Sequence, residues 1–540
     1  MKWLKFFLPL CLLAIHTLAQ DIENGKKHYY YKRYNSAEQY FHDYLKQQSQ
    51  SGEGWLWLTK TYVQLQKLDR LNDTLTKVPV DIQEDPWFLV AKGIQSIANK
   101  QNGASGVLFD KAIELTKGKK PEIYSAIAEA QLFSKDGNLD YGIEMVQKAL
   151  KKEKNSSSLY VILGNLYLAK HDGTEAYRAY QAAIDKDDAN AEAYYQLGLI
   201  FLSQKNTDLF IQNFKKAVSS DNRYAPAWYE LYYYSRYTDP ATAMSYFKEY
   251  TNHSDKSVDQ DYGYTDLLYL NRDYANAIQH ANTLIKSEGE KVQPRIHKLI
   301  AYSMAGLRDS VNAITHMQDY FHSENDSNVI VKDFELMADL FSSQPGREDS
   351  VMKYYRKAAE ISEDSLARRN YFKELARLSN LKQDYGAEAM WRGRFYDNNF
   401  QAKNIDLFNW GLASYRAEDY HQADSVFGLY IAKYPEQGFG YYWRARSNAA
   451  IDTTLAEGLA IPYYQKLVSM IENDTLNATS KKWMLEAYSY LAAYETNTEK
   501  DYKEAIGYFD RILEIDPQND NAKKYISILE QNLKHEGSTN

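Results

Sequence analysis

Apolar residues recur along this chain in blocks that repeat every 34 positions. Residues 157–190 (SSLYVILGNLYLAKHDGTEAYRAYQAAIDKDDAN) and 191–224 (AEAYYQLGLIFLSQKNTDLFIQNFKKAVSSDNRY) align without a gap. Tyr160 falls on Tyr194, Leu163-Gly164 on Leu197-Gly198, Tyr167 on Phe201, Tyr180 on Phe214 and Ala183 on Ala217. A fixed period of this size is the mark of a repeat architecture. Within each block, apolar residues at places four, seven and eleven turn one face of a first helix toward its neighbours. Glycine at place eight lets a second helix come close. A turn follows near Asp172-Gly173, and the second helix carries a large apolar residue at place 24 and a small one at place 27. Neither helix can bury its face alone, so each hairpin has to stack on the next.

At these residues the chain resembles the tetratricopeptide repeat family. Residues 404–437 carry Trp410-Gly411, Ala423, Phe427, Tyr430 and Pro435 at the family's places, and Ala505, Phe509, Ile512 and Asp516-Pro517 match its closing turn. Similar frames begin near residues 24, 52, 86, 121, 225, 258, 294, 331, 366, 438 and 480, which with those at 157, 191 and 404 makes about fourteen. The resemblance implies an all-α fold, an α-solenoid coiled as a right-handed superhelix over residues 20–517. Residues 518–540 then supply a polar-faced capping helix and a short tail, as an open solenoid end requires. Departures from 34 residues fall between helices: a turn shortened at Asp239-Pro240, and insertions at 342–347, 452–458 and 496–500.

Composition narrows the picture. With 11 Pro and 25 Gly in 540 residues and no Gly/Ser-rich or Pro-rich tract, nothing marks a linker between separate domains. A net charge of -8 offers no basic face for nucleic acid. Residues 1–19 have Lys2 and Lys5, an apolar run from Phe6 to Ile15, and Thr17-Leu18-Ala19 before Gln20. This is the layout of a cleavable secretory signal. The apolar run falls well short of the roughly 20 residues that span a bilayer, so no stable membrane insertion is expected after cleavage. Cys11, the only cysteine, lies too early in the run to be an acylated lipoprotein residue. The mature chain then has neither disulfides nor thiolate metal ligands. An exported protein is expected, periplasmic or associated with the outer membrane, and the richness in Lys, Asn and Tyr resembles proteins of the Bacteroidota.

Motifs of catalysis are absent: no Gly-x-x-x-x-Gly-Lys loop, no His-Glu-x-x-His pair, no Gly-x-Ser-x-Gly elbow. Asn102-Gly103-Ala104-Ser105-Gly106 comes nearest to the last but falls in a hairpin turn. The nearest grouping of histidines, His316 and His322 with Asp319, lacks the further ligand and fixed surroundings of a metal centre and is taken as ordinary surface. No enzyme, cofactor or metal is expected.

The unusual feature is 48 tyrosines. In the family resembled, places two, five, nine, twelve and thirteen of each first helix line a concave groove that holds a partner. Those places here carry Tyr195, Tyr229, Tyr233, Arg236, Tyr237, Tyr262, Tyr269 and Tyr302. A second group comprises Phe408, Tyr415, Arg416, Tyr442, Arg446 and Tyr488, with Trp443 at place six. Tyr and Arg dominate binding hot spots, because a rigid ring buries much area and keeps a polar handle. The clamp with which some members grip C-terminal carboxylates is missing, since Val161, Gln196, Pro226 and Glu230 occupy its places. The expectation is a scaffold or adaptor binding an extended or helical segment of a protein partner. The alternative is a carbohydrate- or nutrient-binding surface protein, since aromatic platforms also stack on sugar rings.

Overall fold

The computed structural model describes residues 22–472 and 477–537; the expected signal segment and Cys11 lie outside them. Among the described residues the chain is helical throughout, with no strand. These residues form fourteen helical hairpins in succession, and a further helix, Asp520–Gly537, closes the series. The chain divides into two compact units at Val292 and Gln293. The first contains the hairpins whose first helices begin at residues 22, 52, 86, 121, 157, 191, 225 and 258. The second contains those beginning at 295, 331, 365, 404, 438 and 478.

The repeated sequence places explain the hairpin. A methyl group added at Gly164 would sit 2.4 Å from the Tyr180 ring, and one at Gly198 2.4 Å from Phe214. Places eight and 24 are therefore in direct contact, and only the missing side chain lets the ring come this close to the first helix. Tyr180 and Phe214 are accordingly 0% and 1% exposed.

The turn between the helices has its own chemistry. One residue takes a left-handed conformation, as at His171, Lys205, Arg272, Arg308 and Glu418. Next in the chain comes Asp or Asn at the following helix's N-cap. Asp172 accepts from the Glu175 N–H at 3.1 Å and Asn206 from the Leu209 N–H at 3.3 Å. The left-handed residue ends one helix and the carboxylate or amide starts the next. At the shortened turn Asp239 caps the Thr242 N–H at 3.1 Å, with Pro240 in the first turn, where no amide hydrogen is wanted. The insertion at 496–500 forms a π-turn, Glu495–Glu499, ended by left-handed Lys500.

In the first unit the stack coils far enough for the first hairpin to meet the sixth and seventh. Tyr30 packs on Tyr224 with ring centroids 5.4 Å apart. The Tyr31 hydroxyl donates to Asp221 at 2.6 Å, and Lys32 pairs with Glu192 at 3.1 Å. Asp255 accepts from the Asn35 N–H at 2.8 Å and from the N–H and hydroxyl of Ser36 at 3.2 and 2.5 Å. A side chain remote in sequence therefore caps the helix Tyr34–Gln47. Burial opposes ionisation of Asp221, but hydrogen bonds from Tyr31 and Arg223 outweigh it and hold the carboxyl below its usual range.

The second unit ends in the helix Asp520–Gly537, which packs on the helix Tyr502–Ile515. It buries Ala522 and Leu529 and leaves Tyr525 and Ile528 exposed. No helix among the described residues is long and apolar enough to cross a membrane.

Candidate partner-binding surfaces

The helix Ala225–Ser235 carries the most open aromatic surface in the first unit. Ala225, Ala227, Leu231 and Tyr232 face inward and fix the helix, so Tyr229 and Tyr233 must face out. Their rings stack with centroids 5.8 Å apart, and Tyr250 meets Tyr229 edge-on at 5.3 Å. The Arg236 guanidinium lies 3.5 Å from the Tyr233 ring centre and 4.8 Å from that of Tyr237. Tyr229, Tyr233 and Tyr237 are 38, 48 and 71% exposed. Glu230, half-buried beside them, has its carboxyl pKa raised by burial. The result is an aromatic platform with one cation held on its surface.

The other residues expected with this group are elsewhere. Tyr195 is half-buried between Phe214 and Tyr224, at 5.8 and 5.6 Å, and Tyr30 of the first hairpin lies on the same Tyr224. Tyr262 is 1% exposed and belongs to the interior. Tyr269 packs against Tyr274 at 5.8 Å. Tyr302 lies in the second unit, where its hydroxyl donates to fully buried Asp333 at 2.9 Å. Lys298 reaches the same carboxylate at 2.8 Å.

The second aromatic group forms around Trp443. Trp443 stacks on Phe427 at 6.2 Å and meets Tyr415, Tyr442 and Phe408 at 5.2, 5.5 and 6.5 Å. Arg446 lies over Trp443 and Tyr415, at 5.0 and 5.3 Å, and pairs with Glu486 at 3.1 Å. Glu486 also accepts from the hydroxyls of Tyr442 and Tyr464 at 2.8 and 3.2 Å. Burial, then the bond to Glu486, pushes the Tyr442 phenol up to about 12. Five of the seven expected residues thus come together, but against one another. Tyr442 is 3% exposed. Arg416 lies over Tyr385 instead, and Tyr488 is buried beside Tyr508.

A further surface escaped sequence reasoning. First helices of the hairpins at 52, 121 and 157, with Trp87, line a cleft of about 480 Å³ in the first unit. On its wall Lys60 is 2% exposed, its Nζ 3.7 Å from the Trp57 ring centre and 2.5 Å from Glu129. Burial opposes the charge on Lys26 at the same cleft, but bonds to Glu23 and Glu53 outweigh it and raise its pKa. The available signal was Lys60 and Glu129, opposite charges at place nine of their repeats.

The histidine grouping also differs from expectation. His316 and Asp319 come together with His297, from the first helix of the same hairpin, rather than with His322.

The tetratricopeptide repeat family model matches residues 161–225, the stretch in which the 34-residue period is cleanest. No curated protein sequence matches the chain. Among solved structures, it is similar to the C-terminal part of a TPR repeat-containing protein from Cytophaga hutchinsonii. That pair shares 26% identity over 49% of this chain and 98% of the other, with a TM-score of 0.30. PilF of Pseudomonas aeruginosa matches at 18% identity over 47% of this chain and 97% of its own, with a TM-score of 0.26. A tetratricopeptide repeat protein from Parabacteroides merdae matches at 13% identity, covering 53 and 96%, with a TM-score of 0.23. The family match supports tetratricopeptide repeats in this chain, and proteins of such repeats are generally protein-interaction scaffolds.

Proposed function

We propose that this chain is a non-enzymatic scaffold, exported from the cytoplasm, that holds an extended or helical segment of a protein partner on the platform of Tyr229, Tyr233, Arg236 and Tyr237. The observation that carries the reading is the exposure of three stacked or cation-bearing tyrosines on a helix whose other face is locked in the core. Such rings lose little conformational freedom on binding and bury a large area. Export rests on the composition of residues 1–19, with cleavage after Ala19 and a periplasmic or outer-membrane location.

Crosslinking and pull-down from native envelope with the full chain tests the platform. The triple variant Tyr229→Ala, Tyr233→Ala, Tyr237→Ala is expected to lose the partner that the unaltered chain retains; unchanged retention would refute the assignment. Amino-terminal sequencing of the mature protein tests export, with Gln20 as the expected first residue. The same exposed ring faces also suit a sugar, and calorimetry with glycans separates the two readings: heat with a glycan that vanishes in the triple variant would favour carbohydrate.

A further inference from the structure

We propose that His297, His316 and Asp319 form a zinc(II) site that clips together the open end of one hairpin. His297 lies in the first turn of the helix Arg295–Gly306, and His316 and Asp319 lie three residues apart on the helix Ser310–Ser323. The hairpin turn joins the opposite ends of these helices, so the three side chains meet where no covalent connection holds the pair.

The Nδ1 atoms of His297 and His316 are 3.2 Å apart, and an Asp319 carboxylate oxygen is 3.9 Å from His297 Nδ1. One ligand atom from each residue falls within 4.8 Å of the other two. Ligands held at about 2.0–2.2 Å around a tetrahedral zinc lie roughly 3.3–3.6 Å from one another. The two Nδ1 atoms are close to that separation and can both face a metal once the proton between them has moved to Nε2, while the Asp319 carboxylate has to come closer. Both rings are half-buried and nearly parallel, 25° apart, while Asp319 stands at the solvent edge with 52% of its side chain exposed. That leaves a fourth position open to water. Two imidazoles and one carboxylate suit zinc, whereas calcium and magnesium prefer oxygen ligands alone.

His297 occupies place four, where the hairpins at 121, 157, 191 and 225 carry Tyr124, Tyr160, Tyr194 and Trp228. In those repeats a large ring fills that place; here a ligand does, with a second ligand across from it.

The test is titration of the metal-stripped full chain with zinc(II), followed by calorimetry and by melting temperature. One equivalent should bind and raise the melting temperature, and calcium(II) should do neither. His297→Gln and His316→Asn, chosen to keep side-chain bulk, should each weaken zinc binding at least about tenfold. Their melting temperatures without metal should stay at the wild-type value, and Asp319→Asn should weaken binding less. His322→Ala should leave zinc binding unchanged. Equal zinc affinity in wild type and in His297→Gln and His316→Asn, or absence of stoichiometric uptake, would overturn the site and leave a simple hydrogen bond between two imidazoles.

Discussion

The aromatic platform on the helix Ala225–Ser235 and the aromatic group around Trp443 use the same residue types to opposite ends. At the first, Tyr229, Tyr233 and Tyr237 keep between 38 and 71% of their surface in water, and Arg236 lies over two of these rings. At the second, each ring is met by another ring, Arg446 is paired with Glu486, and Tyr442 is 3% exposed. Tyrosine near a solenoid surface is thus not one signal. What matters is how much of each ring the chain itself already covers, because only the uncovered face has free energy left for a partner.

The contrast can be broken by substitution. Trp443→Ala is expected to destabilise the second unit by about 3 kcal/mol, because it removes a ring packed against four others. Denaturant unfolding checks this, and a loss below about 0.5 kcal/mol would place Trp443 with the open surface. Asp255→Ala comes next, at about 2 kcal/mol, since Asn35 and Ser36 lose a charged acceptor. Hydrogen exchange should rise across the helix Tyr34–Gln47 and at Tyr31, uncovering Tyr224 and Tyr195 and so enlarging the open surface. If exchange there is unchanged, the first hairpin is held by other contacts.

A pH titration sharpens the same contrast. The Tyr442 phenol is raised to about 12 by burial and by Glu486, against roughly 10 in an unfolded chain. Below pH 10 its contribution is complete. As pH rises from 10 toward 12 the unfolded chain gives up this proton first, so stability falls through that window. Tyr442→Phe should flatten the fall. The smallest effect belongs to the platform: Tyr233→Ala should change stability by less than about 0.5 kcal/mol while weakening partner capture.

The hairpins were legible in the sequence because their rule is local. Place eight touches place 24 within one repeat, and Gly164 with Tyr180 shows it in sequence and structure alike. Burial of the groove residues was not legible in this way. Tyr229 and Tyr262 both stand at place five of their repeats, yet one is 38% exposed and the other 1%. Helical periodicity gives the side of a helix a residue occupies, not how far neighbouring elements cover it. The contacts of Tyr30, Tyr31 and Ser36 with residues 221–255 were invisible for a related reason, since coiling brings together segments that share no period. The pairing of His316 with His297 instead of His322 has the same origin, as it crosses from one helix to its partner.

A photoreactive aromatic amino acid placed at Tyr233 or at Tyr415, in the full chain in its native envelope, tests the central distinction most directly. The expected result is a crosslinked protein partner from position 233 and none from position 415. A partner captured from 415 and not from 233 would contradict it.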